Sequence, residues 1–311
     1  MSSEVSLRVH LEGSEQEYDG WAYNPARENE MSNTRLEDEL GDIVAKARIG
    51  RGLTAQQIAG RTGLSEREID AVESYRLVPD GERLKSLAAA LSLDVDKLAR
   101  IASGLWVPGP VNVPDDGPIV EGVPVPYGAY GENCYILACR ATRRAAVVDP
   151  GGAVEAIVER LDSCGLQLEM ALLTHAHGDH VGGLRSLLAG RPGVTVVSHL
   201  VERDSVMRGL SNRWEAAKDN VALPLGELSV TPLSIPGHTP GSSCYVADGV
   251  CFVGDSLFAG SVGRPGDRQG FAQMLNLIRA KVLSLPDATI LFPGHGPATT
   301  VAEEKANNPF F

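Results

Sequence analysis

The sequence predicts an α/β protein that is preceded by a small all-α domain. From about residue 122 onward, apolar runs of strand length alternate with segments whose apolar residues recur at helical spacing. Residues 36–102 show helical spacing alone, and prolines are concentrated in the stretch between the two regions. Such a stretch is extended and semi-rigid. We therefore divide the chain of 311 residues into domains at 36–102 and 122–311, with a linker at 103–121.

The N-terminal region combines a polar tail with a helical domain. Residues 1–35 are rich in Glu, Ser and Asn, a composition that predicts a poorly ordered tail. Five helices are expected to follow. Thr54 with Gln57, and Ser65 with Glu68, have the spacing of capping boxes at the starts of the second and third helices. The segment LTAQQIAGRTGLSEREIDAVES resembles the helix-turn-helix domain of the Cro/phage-repressor family.

The third helix of this domain is acidic where a DNA-reading helix should carry donors. Its predicted exposed positions are Glu66, Arg67, Glu68, Asp70 and Glu73. Base readout uses Arg, Lys, Asn or Gln, and phosphate contacts dominate DNA affinity. The composition therefore favours a domain that dimerises the protein or covers the active site over one that binds DNA, and we expect a homodimer.

In the α/β domain, the alternation of patterns locates the elements. Strands are predicted at 134–139, 145–148, 194–198, 228–234 and 289–292, with a hairpin at 243–253 that turns at Asp248-Gly249. Helices are predicted at 154–164, 184–188 and 271–284, and residues 200–222 are expected to be mostly helical.

Metal-ligand side chains are concentrated in one short segment, Leu173-Thr174-His175-Ala176-His177-Gly178-Asp179-His180. The segment follows an apolar run that is predicted to be a buried strand, and ligands of open α/β sheets bind at strand ends. A desolvated cluster of this kind is costly without a cation. The segment therefore predicts a metal site.

Three later motifs supply further ligands. His238 lies in Pro-Gly-His-Thr-Pro-Gly, Asp255 in Val-Gly-Asp and His295 in Pro-Gly-His-Gly, and each motif follows an apolar run. A glycine next to each ligand lets the backbone approach the site closely. Five of the seven histidines fall in these four motifs, which is hard to obtain by chance.

With these motifs, the region from about Gly122 to Phe311 resembles the metallo-β-lactamase superfamily. The segments PGHTPGS, GDSLFAGSVGR and FPGHGPATTVAEEKANNPF are most similar to short hydrolases related to glyoxalase II, the hydroxyacylglutathione hydrolase. The resemblance implies an αββα sandwich, in which two sheets lie between helices, and it implies a centre with two divalent metal ions.

The resemblance also implies a role for each ligand. It assigns His175, His177 and His238 to one metal, Asp179, His180 and His295 to the other, and Asp255 to both. These nitrogen and oxygen donors suit zinc first, with iron or manganese as alternatives. A hydroxide that bridges the metals is the expected nucleophile, and Asp179 and Asp255 are the expected catalytic carboxylates.

The substrate is expected to be a small molecule with a thioester or a similarly activated acyl group. A thiolate leaves without a dedicated general acid, since the pKa of a thiol is near ~8.5. Because the sequence ends at Phe311, we do not expect the C-terminal helical domain that supplies much of the glutathione site in full-length glyoxalase II, and the thiol part stays open. Arg264 either meets an anionic substrate or is a structural loop arginine.

Three alternatives stay open at this point. A persulfide dioxygenase of the same superfamily would hold one iron with His175, His238 and Asp255. Those enzymes tend to carry a Gly-Arg-Thr-Asp segment where this chain has Gly263-Arg264-Pro265-Gly266. A DNA-binding regulator would use the α/β domain as a metal-binding sensor. A β-lactamase or lactone hydrolase is the third alternative.

The composition of the sequence indicates in which compartment the protein works and which classes of partner it binds. The sequence has no apolar stretch of membrane-spanning length, and its N-terminus has no signal-peptide core. Its five cysteines include no Cys-x-x-Cys pair, which favours a reducing compartment. A net charge of −12 argues against a nonspecific nucleic-acid binder. We expect a cytoplasmic protein without a membrane partner.

Overall fold

The N-terminal domain consists of five short helices. The structure is a computed structural model that describes residues 35–127 and 130–311, so residues 1–34 of the predicted tail lie outside it. The helices are α1 Leu40–Gly50, α2 Ala55–Thr62, α3 Glu66–Glu73, α4 Gly81–Ala90 and α5 Val95–Ala102. Both predicted capping boxes are confirmed, with Thr54 and Ser65 as the N-caps of α2 and α3.

The first sheet of the α/β domain contains six strands in chain order. They are β1 Ile119–Tyr127, β2 Tyr130–Ala138, β3 Arg144–Val148, β4 Gln167–Leu172, β5 Thr195–Ser198 and β6 Trp214–Ala216. β1, β2 and β3 pair antiparallel, whereas β3 to β6 pair parallel. The helices between these strands are α6 Val154–Ser163, α7 Gly178–Val181, α8 Leu184–Leu188 and α9 Arg203–Val206.

The second sheet also contains six strands, in the order β14-β13-β10-β9-β8-β7. They are β7 Leu223–Leu225, β8 Leu228–Ser234, β9 Ser243–Ala247, β10 Val250–Gly254, β13 Ile290–Pro293 and β14 Thr299–Thr300. A separate hairpin consists of β11 Leu257–Phe258 and β12 Ser261–Val262. The remaining helices are α10 Arg268–Leu277, which continues as a π-helical turn at Ile278–Val282, and α11 Val301–Asn307. No helix in the described ranges is both long and apolar enough to cross a bilayer.

Two regions differ from the sequence-based expectation. Residues 200–222 are not mostly helical: a 3-10 turn at Leu200–Glu202 and α9 are followed by strand β6, which pairs with β5. The pairing at the sheet edge decides this, and the local pattern does not reveal it. β1 begins at Ile119, so it includes the end of the predicted linker. Pro124 and Pro126 are tolerated in β1 because it is an edge strand.

The layers follow the αββα order that the family resemblance implied. Tyr135, Val148 and Leu172 of the first sheet pack against Tyr245 and Phe252 of the second. α6 and α8 cover the outer face of the first sheet. α10 covers the outer face of the second. The sandwich therefore has a core between its sheets and another beneath each helical layer.

The helical domain packs on the outer side of the second sheet and shares its core. One continuous cluster contains Ile43 and Val44 of α1, Leu98 of α5, and Phe271 and Met274 of α10. Trp106 of the linker packs on this cluster, and its indole nitrogen donates to Glu303 Oε2 at 2.9 Å. The main-chain nitrogen of Asp94 donates to the Pro309 carbonyl at 2.8 Å. The two domains are thus joined by a buried apolar interface.

Candidate metal centre

The predicted ligands come from the ends of strands in both sheets. His175 to His180 follow β4 of the first sheet, and Asp149 follows the neighbouring strand β3. In the second sheet, Asp255 follows β10, and His295 comes two residues after the parallel strand β13. His238 lies in the loop between β8 and β9. Strand ends of the two sheets therefore meet at one edge of the sandwich, and the polar side chains gather there.

Three imidazoles form the first group. His177 Nδ1 lies 3.0 Å from Nε2 of His175 and 3.0 Å from Nε2 of His238. His175 is buried, His238 is half-buried and His177 is exposed. One ligand nitrogen from each ring lies within 4.8 Å of the other two, an arrangement that can hold a metal ion.

A second group lies directly beside the first. It consists of Asp179, His180 and His295, with Asp179 Oδ2 at 3.4 Å from Nε2 of His295 and 3.9 Å from Nε2 of His180. Asp255 lies between the groups: its Oδ1 is 3.3 Å from Nε2 of His180, and its Oδ2 is 3.5 Å from Nε2 of His238. The structure thus brings together all seven ligands that the sequence predicted.

The protein fixes the orientation of four of the five imidazoles through Nδ1. These contacts run from His175 to Thr174 Oγ1 at 3.0 Å, from His180 to Asp149 Oδ2 at 3.0 Å, from His238 to the Arg264 carbonyl at 2.9 Å, and from His295 to the Gly131 carbonyl at 2.7 Å. A contact of this kind holds the proton on Nδ1 and turns the bare Nε2 toward a metal. His177 instead presents Nδ1 to the centre.

Asp149 is the main orienting residue, and the sequence reasoning gave it no role. Its carboxylate accepts hydrogen bonds from the Thr174 main-chain nitrogen at 2.8 Å and the Thr174 hydroxyl at 2.6 Å, in addition to His180. It therefore ties the end of β3 to the first ligand segment. The available signal was its place in the sequence, an aspartate directly after the buried strand β3.

Buried polar atoms without partners indicate that a cation fits this centre. Nε2 of His180 and Oδ1 of Asp255 are buried, and neither has a hydrogen-bond partner among the residues that the structure describes. Burial without a partner is costly for such atoms. A cation that both atoms coordinate would remove that cost, and the donor set suits a divalent metal.

The electrostatics of the cluster agree with this fit. Burial lowers the pKa of His238 to about 4, and burial together with the neighbouring His180 holds the pKa of His175 well below its usual range. Burial would also lower the pKa of His295, but Asp255 raises it to about 9. His175 and His238 are therefore neutral and offer lone pairs. The carboxylates instead hold protons on His180 and His295, where a cation would replace them.

Glu132 is a second residue that the sequence reasoning missed. It is 1% exposed, and neither of its carboxyl oxygens has a hydrogen-bond partner within the described part of the chain. Burial raises its pKa to about 10, so the carboxyl is neutral at pH 7. Its Oε1 lies 3.9 Å from Nδ1 of His180, behind the centre. A charged residue type inside the apolar strand β2 was the available signal.

The side chain of Arg264 is exposed, and the main chain of this residue contacts the centre. The carbonyl of Arg264 accepts the His238 contact described above. This contact involves the backbone of Arg264 alone. A substrate contact by the guanidinium stays a prediction.

Comparison with known families agrees with this architecture. Residues 127–295 match the family described as the Metallo-beta-lactamase superfamily, and residues 44–98 match the Helix-turn-helix family. The first match contains all seven predicted ligands. The second contains α2, α3 and α4 of the helical domain.

Individual relatives give the same result. The hydroxyacylglutathione hydrolase GloC of Haemophilus influenzae is 32% identical over 204 residues, which are 60% of this chain and 95% of that protein. The hydroxyacylglutathione hydrolase of Alkalilimnicola ehrlichii is 38% identical over 57% of this chain and 66% of its own length. The crystal structure of the BLEG-1 B3 metallo-beta-lactamase aligns with a TM-score of 0.53 and 31% identity, covering 62% of this chain and 99% of that one. The chain belongs to the metallo-beta-lactamase superfamily, and it carries a helix-turn-helix domain ahead of the superfamily fold.

Proposed function

We propose that this protein is a hydrolase that uses two divalent cations to cleave a thioester or a similarly activated acyl substrate. The observation that carries the proposal is the position of Asp255 between the two groups of ligands. One of its oxygens faces His180 and the other faces His238, at 3.3 and 3.5 Å. A carboxylate placed in this way is suited to being shared by two cations.

The proposed ligand sets divide the seven residues between two cations. They are His175, His177 and His238 for the first, Asp179, His180 and His295 for the second, and Asp255 for both. Zinc, iron and manganese all accept such donors, and we propose zinc in both positions. When bound, two such cations lower the pKa of a water molecule toward neutrality and polarise an acyl carbonyl.

The residues around the proposed metal centre leave one side of it open. His175 and His180 are buried and form its floor, whereas His177 is exposed and Asp179 is half-buried. A substrate can therefore approach from the side of His177 and Asp179. Burial would raise the pKa of Asp179, but its contact with His295 lowers the pKa below the usual range. An ionised carboxylate on the open side can orient an attacking water by accepting its hydrogen bond.

The expected leaving group follows from the position of the other carboxyls. Asp149 and Glu132 both face Nδ1 of His180, on the side away from the centre. They are therefore poorly placed to protonate a leaving group. A thiolate leaves without that proton because a thiol has a pKa near ~8.5, whereas an amine does not. The relatives named hydroxyacylglutathione hydrolase support this substrate class.

For the helix-turn-helix domain, we infer that α3 does not read DNA. Its exposed residues include Glu66, Arg67 and Asp70, a set that repels phosphates more than it attracts them. A shift assay with genomic fragments at low salt tests this inference. A retarded band that disappears when α3 is altered would contradict it and would favour a regulator.

The proposed function is tested first by metal content. Protein purified without added metal is expected to contain about two metal ions per chain, most of them zinc, when analysed by mass spectrometry. The same protein is expected to release free thiol from acyl thioesters. One iron per chain together with oxygen consumption on a persulfide would contradict the proposal and would favour the dioxygenase.

Two histidine substitutions provide a matched pair for this test. His177 is exposed, so His177→Gln should leave the fold intact while it removes a ligand. His199 lies outside the centre, where its ring accepts from the Val201 main-chain nitrogen at 3.3 Å. His177→Gln is expected to lower activity by at least the roughly 10–100-fold that is lost when a residue hydrogen-bonded to a metal ligand is replaced. His199→Gln is expected to keep its activity. Equal activity of the two variants would contradict the ligand assignment.

A further inference from the structure

The hairpin of β11 and β12 links two parts of the proposed centre. It begins two residues after Asp255, and it ends two residues before Arg264, whose carbonyl accepts the contact from Nδ1 of His238 at 2.9 Å. The position of the hairpin therefore sets both the shared carboxylate and the orientation of a histidine in the first group. Whatever holds the hairpin in place also holds these two ligands.

Part of this support comes from the C-terminal helix of the α/β domain. The carboxylate of Glu304 accepts a hydrogen bond from the Gly260 main-chain nitrogen at 3.1 Å. The Asn308 amide donates to the Ser261 carbonyl at 2.9 Å. Both side chains are fully buried. The tip of the hairpin is thus bound from the side of α11.

The other part comes from the helical domain. Lys46 of α1 donates to the Val262 carbonyl at 2.9 Å, and its ammonium lies 4.7 Å from the centroid of the Phe258 ring. Lys46 is only 6% exposed, and it forms an ion pair with Asp38, which is 4% exposed. A buried ammonium must find acceptors, so the Val262 carbonyl is held firmly.

The helical domain also touches the loop that carries His295. Glu37 lies so close to Gly296 that a Cβ atom added to this glycine would be 3.1 Å from the main-chain nitrogen of Glu37 and 2.9 Å from its Cβ. The chain just ahead of α1 therefore packs directly on the residue after His295. On the hairpin, Ile101 of α5 and Trp106 lie against Gly260. The helical domain contacts both loops that bring second-sheet ligands Asp255 and His295 to the centre.

We propose that the helical domain is part of the scaffold of the metal centre and that Lys46 is a positioning residue that fixes the loop from Asp255 to Arg264. This inference rests on the proposed function only in taking Asp255 and His238 as ligands. Lys46 acts through the Val262 carbonyl and the hairpin, and it does not touch the substrate. Loosening the hairpin should weaken metal binding and slow turnover, with little effect on KM.

A pair of double variants tests the role of Lys46. Lys46→Met with Asp38→Asn removes the ion pair without leaving a buried carboxylate unpaired. Arg48→Met with Glu73→Gln removes a comparable pair from the same helix, one that joins α1 to α3. In the first variant, titration with a chelator is expected to give a metal dissociation constant raised about tenfold. The amide hydrogens of 257–264 should exchange faster, and kcat should fall by a larger factor than KM rises. Equal values in the two variants would overturn the proposal.

A reciprocal measurement uses the unaltered protein, so it does not depend on whether a variant folds. If the helical domain and the centre are coupled, adding zinc to the metal-free protein must slow amide exchange in α1 as well as in 257–264. α6, on the far side of the first sheet, is the internal control. Protection confined to the hairpin, or equal protection throughout the fold, would overturn the coupling. A protein that binds no metal at all would instead contradict the proposed function.

Discussion

Replacing Asp149 by Asn tests the proposed ligands, because Asp149 sets the orientation of His180. The residue has φ 50°, in the left-handed region, and Asn occupies that region as readily as Asp does. The substitution therefore adds no backbone strain. It replaces one carboxylate oxygen by an amide nitrogen in a residue that is only 2% exposed.

Neither orientation of the amide restores the contacts of the carboxylate. If the Asn carbonyl keeps the bond from the Thr174 main-chain nitrogen, the amide nitrogen faces the Nδ1–H of His180, donor against donor. If the amide is turned, its nitrogen faces the Thr174 nitrogen instead. One buried donor loses its partner in both cases, which costs about 1–3 kcal/mol of unfolding free energy. His180 can escape by moving its proton to Nε2, the atom that the metal needs.

We therefore expect Asp149→Asn to weaken metal binding about 10–100-fold, which corresponds to about 1.4–2.7 kcal/mol. Titration of the metal-loaded protein with a chelator measures the dissociation constants. Asp219→Asn is the matched control, since Asp219 is exposed and pairs with Lys281 at 2.8 Å. Wild-type dissociation constants for both metals in Asp149→Asn would refute the assignment of His180 as a ligand that Asp149 orients.

Three further predictions concern other sites. Gly151→Ala would place a methyl group 1.4 Å from the Asp179 carbonyl oxygen, so we expect loss of bound metal and a lower Tm. Gly60→Ala adds a methyl group to α2 with no described atom within 4 Å, so it should stabilise the protein by about 0.5–1 kcal/mol without changing activity, as measured by thermal unfolding. Burial raises the pKa of Glu304 from 4.5 to about 7, so its contribution to stability is complete below the unfolded value and is lost as pH rises through the folded one. Glu304→Gln should therefore flatten the fall in unfolding free energy between pH 4.5 and about 7, and a slope equal to that of the wild type would contradict this expectation.

Features that depend on local sequence could be predicted well. The capping boxes at Thr54 and Ser65 involve residues three positions apart, and both are present. The positions of the candidate ligands at strand ends were also accessible, because a buried strand that ends in His or Asp beside a glycine is typical of a binding loop at a sheet edge. The hairpin at Asp248-Gly249 was predicted from its turn residues, which are adjacent in the chain.

Features that depend on distant partners could not be predicted. Residues 214–216 form a strand because β5 offers them an edge, and the sequence around Trp214 contains no alternation to indicate this. Asp38 and Lys46 have the appearance of solvated surface charges, yet both are buried. Lys46 meets the Val262 carbonyl, more than 200 positions away in the chain. The helical spacing of α1 predicted a buried face without identifying what would cover it.

The apolar core that runs through both domains determines how the chain responds to cleavage. The linker between α5 and β1 includes Leu105 and Val107, which are 80% and 50% exposed, so a protease can reach it. A single cut there would break one covalent connection and leave the buried interface intact. We expect the two fragments to remain bound to each other and to unfold in one transition, as the subunits of an obligate heterodimer do.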